Sequence, residues 1–220
     1  MRYKTVLWDL DGTLLNTLTD LSNSVNYALA QCGLPAVSPQ QVSAGTGNGV
    51  RELLLACTPG GDRCPQFQEV CDAFVAHYDK HSSDFTAPYP GILDTLTALK
   101  KAGCTLGIVS NKLDWAVKQL GEIHFPGMMA VCVGEREGVR RKPAPDVILA
   151  ALEELGICKE DAVYIGDSEI DVQTARNVGM DCIAVTWGFR TRQQLLDAGA
   201  TTLVSSADAL LHLLLGDTQE

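Results

Sequence analysis

The sequence predicts an α/β fold, a doubly wound parallel sheet with an inserted α-helical domain, and three observations lead to that prediction. Short, continuously apolar runs rich in Val and Ile recur along the chain, as in strands that are covered on both faces. Amphipathic segments that stop at a glycine lie between those runs, and strands that alternate with helices indicate a parallel sheet. From about residue 16 to residue 84 the pattern is helical without a convincing strand, which predicts an insertion after the first strand.

The predicted strands are short and are distributed over most of the chain. They are Thr5–Trp8, Thr105–Val109, Ala130–Val133, Ala162–Ile165, Cys182–Val185 and a weaker Thr202–Val204. Each predicted core helix is followed by a glycine, the residue that most often comes directly after a helix C-terminus. These helices are Ile92–Ala102, Pro145–Leu155 and Ile170–Val178.

The helical insertion, residues 16–85, is predicted to contain amphipathic helices only. They are Leu18–Ala30, Val50–Ala56 and Phe67–Tyr78. The α/β core is then formed by residues 1–15 and 86–220, and two prolines, Pro88 and Pro90, stiffen the connection back to it. The C-terminal tail, residues 216–220, is expected to fray.

The composition is that of a globular protein, with 220 residues of which 46% are hydrophobic and 20% are charged. No apolar run approaches the roughly 20 residues that span a membrane, and the N-terminus lacks the apolar region of a signal peptide, so we expect a cytoplasmic protein. The formal net charge of −10 argues against nucleic acid and anionic lipid as partners. The eight cysteines include no C-x-x-C pair, so neither a zinc site nor a disulfide framework is expected.

Polar residues follow three of the predicted strands. Asp9 and Asp11 come after the first strand, Ser110-Asn111-Lys112 after the second, and Asp167 after the strand that ends at Ile165. The carboxyl ends of parallel strands meet at one edge of the sheet, where ligands bind in such folds. We therefore expect carboxylates, small hydroxyls and at least one cation, Lys142 from a nearby loop, to lie together there.

Those residue types suit phosphoryl transfer. Neighbouring carboxylates repel each other unless a cation lies between them, and oxygen ligands suit Mg²⁺. A carboxylate can attack phosphorus, and a second carboxyl can protonate the leaving oxygen. The transferring group also needs fixed positive charge and hydrogen-bond donors around its oxygens. The sequence offers a candidate for each role.

The motifs resemble those of a known family, the haloacid dehalogenase superfamily. They are Asp9-Leu10-Asp11-Gly12-Thr13, Ser110-Asn111, Lys142-Pro143 and Gly166-Asp167-Ser168-x-x-Asp171, in the order that the superfamily has them. The core resembles its Rossmann-like domain, and the helical insertion resembles its α-helical cap. The resemblance covers nearly the whole chain.

The resemblance implies a role for each motif residue. Asp9 is the expected nucleophile and a Mg²⁺ ligand, and Asp11 is the expected general acid and base, with its backbone carbonyl on the metal. Asp167 is the third expected metal ligand, and Asp171 supports either the metal site or Lys142. Because dehalogenases lack the second aspartate, Asp11 favours phosphoryl transfer over cleavage of a carbon–halogen bond.

The remaining expected contacts are with the substrate. Ser110 would donate a hydrogen bond to the phosphoryl group, Lys142 would neutralise its charge, and Thr13 and Asn111 would help to bind it. Further segments resemble phosphoglycolate phosphatases, above all residues 45–54 and 185–190. From the first of these segments we take Gly47, Asn48 and Arg51 as candidate substrate contacts, although the glycine loop could be a plain turn and Arg51 a surface ion-pair residue.

The expected function is therefore Mg²⁺-dependent hydrolysis of a phosphate monoester through an aspartyl phosphate. The substrate would be a small phosphorylated metabolite such as 2-phosphoglycolate, and the protein a monomer or a homodimer. Three alternatives stay open: a phosphomutase similar to β-phosphoglucomutase, a pyrophosphatase or nucleotidase of the same superfamily, and a non-catalytic domain that only accepts phosphate.

Overall fold

A computed structural model describes residues 2–216, so most of the C-terminal tail that was expected to fray, residues 217–220, lies outside the described residues. The strands are β1 Thr5–Trp8, β2 Leu15–Asn16, β3 Ala87–Pro88, β4 Thr105–Leu113, β5 Val131–Glu135, β6 Ala162–Gly166, β7 Asp181–Val185 and β8 Leu203–Val204. The helices are α1 Leu18–Gln31, α2 Pro39–Gly45, α3 Val50–Cys57, α4 Phe67–His81, α5 Ile92–Lys101, α6 Asp114–His124, α7 Asp146–Leu155, α8 Glu169–Val178, α9 Arg192–Asp197 and α10 Ala207–Leu215. No helix in the described part of the chain is long and apolar enough to cross a membrane.

The predicted fold class is confirmed. Six strands form one parallel sheet in the order β5-β4-β1-β6-β7-β8, with β1 hydrogen-bonded to β4 on one side and to β6 on the other. Chain order reverses at β1, because the strands that follow in sequence lie on both sides of it. In doubly wound sheets this reversal opens a crevice at the carboxyl ends of the strands. Residues that follow β1 are thus placed at the centre of the crevice.

Both faces of the sheet are covered by helices, as the continuous apolar runs predict. Side chains of β1 alternate between the two layers: Val6 and Trp8 lie in one buried cluster with α5 and α10, whereas Leu7 lies in the other with α7 and α8. All three are at most 1% exposed. Burial of one such side chain contributes roughly 2 kcal/mol, so the strand that carries the first motif is held firmly from both sides.

The helical insertion has an apolar cluster of its own. Helices α1 to α4 bury Val25, Leu54, Phe74 and Tyr78 against one another, with each side chain at most 1% exposed. Ala116 of the core helix α6 joins the same cluster, so the helices also pack on the α/β core. The division of the chain at residues 15/16 and 85/86 stays a prediction.

The two connections between the helical insertion and the core are tied together by one carboxylate. Asp20, at the start of α1, is 1% exposed and accepts hydrogen bonds from the Phe85 N–H at 2.9 Å and from the Thr86 N–H and hydroxyl at 2.8 Å. The short antiparallel pair of β2 and β3 lies beside it. The insertion therefore leaves and rejoins the core at one point.

Candidate active site

One cavity lies between the carboxyl edge of the sheet and the helical insertion. On the side of the core it is lined by Asp9, Asp11, Ser110, Asn111 and Asp167, so the structure brings together the polar residues that follow β1, those at the end of β4 and those after β6. The helical insertion contributes Leu21, Thr46, Gly47, Gly49, Val50 and Leu53. We refer to this space as the site cavity.

Lys142 lies beside the site cavity as a buried cation between two carboxylates. Its Nζ is 2.7 Å from Asp171 Oδ1 and 3.0 Å from Asp9 Oδ1, and it donates a hydrogen bond of 2.9 Å to the Tyr164 hydroxyl. The Tyr164 hydroxyl in turn donates a hydrogen bond of 2.8 Å to the Val109 carbonyl. Burial lowers the pKa of Lys142, but the charges of Asp171 and Asp9 outweigh it and leave the pKa above its ordinary value, so the ammonium stays protonated.

Asp171 is committed to positioning Lys142 and the start of α8. Its carboxylate is fully buried, and Oδ2 accepts hydrogen bonds from the Ser168 N–H at 3.0 Å and the Ser168 hydroxyl at 2.6 Å. Ser168 in turn caps the helix, which makes the pair a capping box. Since Oδ1 is taken by Lys142, both oxygens of Asp171 are occupied.

Asp9 and Asp167 have the arrangement of groups that share a cation. Oxygens of Asp9, Asp167 and Asp171 lie within 4.8 Å of one another. Asp9 Oδ1 is in ion-pair contact with Lys142 but has no well-aligned hydrogen-bond donor. Asp167 accepts hydrogen bonds from the Thr13 hydroxyl at 3.1 Å and the Phe189 N–H at 2.6 Å, which fix its orientation. The all-oxygen donor set fits a divalent cation such as Mg²⁺, which Asp9 and Asp167 would hold.

The electrostatics of the carboxylates agree with that fit. Burial raises the pKa of Asp9 to about 6, against the lowering effect of Lys142, and the charges of Asp171 and Asp11 add to the rise. Burial and the charges of Asp171 and Asp9 also raise the pKa of Asp167 well above its ordinary value. One lysine does not balance this much buried negative charge, whereas a second cation beside Asp9 and Asp167 would.

Two glycines let the chain approach Asp167 closely. A Cβ atom at Gly12, whose φ is +82°, would collide with the Asp167 carboxylate. A Cβ at Gly188 would collide with the same carboxylate and with the Gly12 carbonyl. Any side chain at Gly12 would also be strained by the left-handed backbone. The loops after β1 and β7 thus enclose Asp167 because both have glycine at this contact.

Asp11 has a cationic partner to which the motifs gave no role. Lys112, at the end of β4, places its Nζ 2.9 Å and 3.0 Å from the two carboxylate oxygens of Asp11. The lysine side chain is 3% exposed, and its ammonium lies 4.7 Å from the ring centre of Tyr78 on α4. The partner of each aspartate in the first motif is therefore a different buried lysine.

Asn111 lies in the site cavity but uses its amide group on the backbone. Nδ2 donates 2.9 Å hydrogen bonds to the carbonyls of Gly47 and Lys142, and Oδ1 accepts from the Lys142 N–H at 2.7 Å. Both amide hydrogens are thereby engaged, so Asn111 links the glycine loop of the helical insertion to the Lys142 loop. Its predicted contact with phosphate stays a prediction. Ser110 is 3% exposed, and its hydroxyl oxygen accepts the Lys112 N–H at 3.4 Å.

Of the three residues proposed from the glycine loop, only Gly47 lines the site cavity. Asn48 lines a separate surface pocket beside Arg140 and Arg141. Arg51 is exposed, and its guanidinium lies 5.1 Å from the ring centre of Phe67. The structure therefore does not bring Arg51 to the other candidate residues.

Arg190 lines the site cavity, although no role was predicted for it. Its side chain donates hydrogen bonds to the carbonyls of Thr46 at 2.8 Å and Ser43 at 3.0 Å, and it forms an ion pair with Glu169 at 2.8 Å. Arg190 thus fixes the loop between α2 and α3 against the core. The resemblance of residues 185–190 to phosphoglycolate phosphatases was the signal that could have indicated it.

Replacing Asp9 with Asn is expected to change how stability depends on pH in the presence of a chelator. The folded pKa of Asp9, about 6, lies above the unfolded value of about 3.9, so the folded state binds more protons and its stability falls as pH rises through 6. Relative to the wild type, the variant should gain about 1 kcal/mol between pH 5 and pH 7.

The difference between the two proteins is the quantity to measure, by urea unfolding at a series of pH values. His77 and His124 have lowered pKa values because they are partly buried, so their titration makes stability rise with pH. This contribution is the same in the wild type and the variant, and it cancels in the difference. A difference that does not change between pH 5 and pH 7 would contradict the raised pKa of Asp9.

Comparison with known proteins identifies the family. The sequence model of the haloacid dehalogenase-like hydrolase family matches residues 6–185 of this chain. The phosphoglycolate phosphatase of Aquifex aeolicus is 33% identical over 187 residues, which are 84% of this chain and 86% of that protein. The N-acetylmuramic acid 6-phosphate phosphatase of Pseudomonas aeruginosa is 32% identical over 190 residues, 86% of this chain and 84% of that protein.

Solved structures agree with these relatives. A crystal structure of a provisionally named phosphoglycolate phosphatase from Lactobacillus delbrueckii subsp. bulgaricus has a TM-score of 0.92 and 37% identity. The match covers 99% of this chain and 100% of that one. The expected resemblance to phosphoglycolate phosphatases is confirmed, as is the prediction of an enzyme similar to them. The chain belongs to the haloacid dehalogenase-like hydrolase family.

Proposed function

We propose that the protein is a Mg²⁺-dependent phosphate-monoester hydrolase that forms an aspartyl phosphate on Asp9, with 2-phosphoglycolate as the first candidate substrate. The observation that carries the proposal is the position of Asp9, beside the buried ammonium of Lys142 and in the same cavity as Asp11 and Asp167. The names of several relatives, phosphoglycolate phosphatase, support the substrate class.

In the first half-reaction, Asp9 attacks phosphorus. A bond forms between the Asp9 oxygen and phosphorus while the bond from phosphorus to the ester oxygen breaks. The electron pair of the broken bond stays on the alcohol oxygen, which takes the proton that Asp11 carries. Lys142 reduces the negative charge around the attacking oxygen and the phosphoryl group.

In the second half-reaction, water replaces Asp9 on phosphorus. Asp11, now a carboxylate, takes a proton from the water as its oxygen attacks. The bond between phosphorus and Asp9 breaks, which releases inorganic phosphate and restores both aspartates. Ser110 faces the same cavity and is the proposed hydrogen-bond donor to the phosphoryl oxygens.

Asp9, Asp167 and the backbone carbonyl of Asp11 are the proposed ligands of Mg²⁺. When bound, the ion supplies positive charge that offsets the repulsion between the carboxylates and the phosphoryl group. Thr13 and Phe189 keep Asp167 in place through their hydrogen bonds, and Gly12 allows the close approach.

The helical insertion is the proposed cover of the reaction. Leu21, Val50 and Leu53 give the site cavity an apolar wall that limits access of bulk water. Asn111, Arg190 and an ion pair of 3.1 Å between Arg141 and Glu52 on α3 hold the insertion against the core. Opening and closing of this cover would admit substrate and release phosphate.

Phosphate release from a panel of esters tests the proposal, with Mg²⁺ and with a chelator. The panel contains 2-phosphoglycolate, N-acetylmuramic acid 6-phosphate, ethyl phosphate, a nucleotide and pyrophosphate. We expect the highest kcat/KM for 2-phosphoglycolate and background release without Mg²⁺. If no compound releases phosphate, the proposal of a hydrolase is wrong. Conversion of β-glucose 1-phosphate to glucose 6-phosphate would then favour the phosphomutase. The cytoplasmic location and the monomeric or dimeric state stay predictions.

A further inference from the structure

Lys112 is a buried cation to which the proposed mechanism gives no task. Among the described residues, two lysines are buried, Lys142 and Lys112, with side chains that are 2% and 3% exposed. Lys142 serves Asp9 and the phosphoryl group. Lys112 pairs with Asp11 and lines the same cavity, on the side where the proton is delivered to the leaving alcohol. Burial of a charge costs several kcal/mol, so a lysine in this place calls for an anionic partner throughout the reaction.

Asp11 alone does not provide that partner in the proposed first half-reaction. Asp11 enters that step with the proton for the leaving oxygen, and a neutral carboxyl no longer compensates the ammonium 2.9 Å away. Tyr78 also lies close to Lys112, with its ring centre 4.7 Å from the ammonium, but this neutral side chain attracts a cation more weakly than a carboxylate does. A negative group on the substrate would complete the site.

Distances define where on the substrate that group must lie. An ester oxygen that takes a proton from Asp11 comes within about 2.8 Å of its carboxyl, and Lys112 Nζ lies 2.9 Å from the same carboxyl. The ester oxygen and Nζ are therefore no more than about 6 Å apart. A carboxylate on the carbon next to the ester oxygen extends roughly 3 Å further, and so reaches Lys112 without displacing the phosphoryl group.

The rest of the site cavity offers little competition for this task. Arg190 is engaged by Glu169 and by two backbone carbonyls, and Arg51 lies on the Phe67 ring outside the cavity. The apolar side chains of the helical insertion would leave the hydroxyl groups of a sugar without partners, which disfavours such leaving groups.

We infer that Lys112 is a specificity-determining residue that binds a carboxylate on the carbon adjacent to the ester oxygen. The site would accordingly favour phosphate esters of short 2-hydroxy acids over phosphate esters of uncharged alcohols of the same size. This inference rests on the proposed function, because it takes Asp11 as the group that faces the leaving oxygen.

Binding of inert analogues tests the inference without turnover. 3-Phosphonopropionate has the shape and charge of 2-phosphoglycolate, propylphosphonate has a methyl group in place of the carboxylate, and neither has an ester bond to cleave. Calorimetry with Mg²⁺ should give the wild type at least about tenfold tighter binding of 3-phosphonopropionate, as one charge-assisted hydrogen bond provides. Lys112→Met should bring the ratio of the two affinities close to one. Lys118→Met, which removes an exposed lysine of α6, should leave the ratio unchanged.

Asp11→Asn should change the ratio in the opposite direction. Without Asp11 as a competitor, Lys112 is available to the ligand, and the preference for 3-phosphonopropionate should rise by roughly three- to tenfold. The double variant Asp11→Asn/Lys112→Met measures how the lost charge of Asp11 affects the ratio when Lys112 is absent. That effect is subtracted from the effect of Asp11→Asn alone. A rise as large in the double variant as in Asp11→Asn would leave no part for Lys112 and would overturn the assignment.

A folded Lys112→Met protein that keeps the wild-type ratio would equally overturn the role of Lys112, and thermal unfolding establishes that the variant is folded. Failure of the proposed function has a different outcome. In that case the wild type releases no phosphate from any ester, whatever its preference between the two phosphonates.

Discussion

Asp9→Asn is expected to abolish phosphate release while the protein stays folded. An amide oxygen is a far weaker nucleophile than a carboxylate, and loss of the nucleophile in covalent catalysis costs at least roughly 10⁴-fold in kcat. The fold should not suffer, because the variant loses a carboxylate whose burial raises its pKa to about 6. Initial rates of phosphate release, together with thermal unfolding, measure both effects.

A matched control and a trapping experiment make this prediction specific. Asp94→Asn changes an exposed aspartate of α5 in the same way and should keep the wild-type rate. Acid quenching of the wild type during turnover of a ³²P-labelled ester should leave label on the protein, whereas the Asp9→Asn variant should carry none. Near-normal release by the variant, or equal labelling of both proteins, would exclude Asp9 as the nucleophile.

Much of the fold could be predicted from the sequence, because local patterns and the global topology agree. The strands of the parallel sheet other than β4 are predicted to within two residues at each end, since apolar runs that are covered on both faces give a continuous signal. β4 continues to Leu113, four residues beyond the predicted Val109, because Leu113 pairs with Glu135 beyond an irregularity that contains the buried polar residues Ser110 to Lys112. An apolar run cannot predict a strand whose last residues are polar.

Of the elements that were missed, β2, β3 and α6 have weak local signals. β2 and β3 contain two residues each, which is too short for any period, and they exist because the chain leaves and re-enters the core at that point. α6 begins after Leu113, which provides no side-chain cap, and contains Gly121, so it lacks the usual signs of a helix start. The other missed helices did carry such a sign: α2 and α9 begin with capping boxes, Ser38 with Gln41 and Thr191 with Gln194, and Ser206 caps α10.

The candidate site likewise has a part that the sequence predicts and a part that it does not. Three of the four motifs lie at strand ends, and the topology of a parallel sheet is enough to bring strand ends together, whereas Lys142 comes from the loop between β5 and α7. The partners of the motif residues come from contacts between distant segments, such as Lys112 with Asp11 or Asn111 with Gly47. Residues 101 and 64 positions apart give no local pattern, so these pairs could be found only in the structure.

Two arginines, Arg51 and Arg190, illustrate how little the sequence says about the direction of a side chain. Arg51 looked like a substrate contact because it stands in the glycine-rich segment, but a helical residue points where its place on the helix directs it. On α3 that direction is away from the site cavity and toward Phe67. Arg190 reaches the same cavity from a loop of the core, where sequence periodicity carries no information about direction.

Lys142→Met is expected to lower both stability and activity by large amounts. The substitution keeps the length and most of the volume of the side chain but removes the charge between Asp9 and Asp171. The Asp171 carboxylate is fully buried and would remain without its cation, which costs about 3–5 kcal/mol in comparable cases. For a chain of this length the midpoint of thermal unfolding should fall by roughly 6–20 °C.

A second substitution separates the two effects. Lys142→Met/Asp171→Asn removes the isolated buried charge while the new amide oxygen can still accept hydrogen bonds from Ser168, so most of the lost stability should return. Phosphate release should stay at least roughly 10³-fold below the wild type, because the charge beside Asp9 is still missing. Recovery of activity along with stability would mean that Lys142 only compensates Asp171. Recovery of stability alone would mean that the Lys142 ammonium has two separate tasks. It compensates the buried charge of Asp171, which stabilises the fold, and it neutralises charge around Asp9 during the reaction. Each task requires a different aspartate, so Lys142 has to contact both.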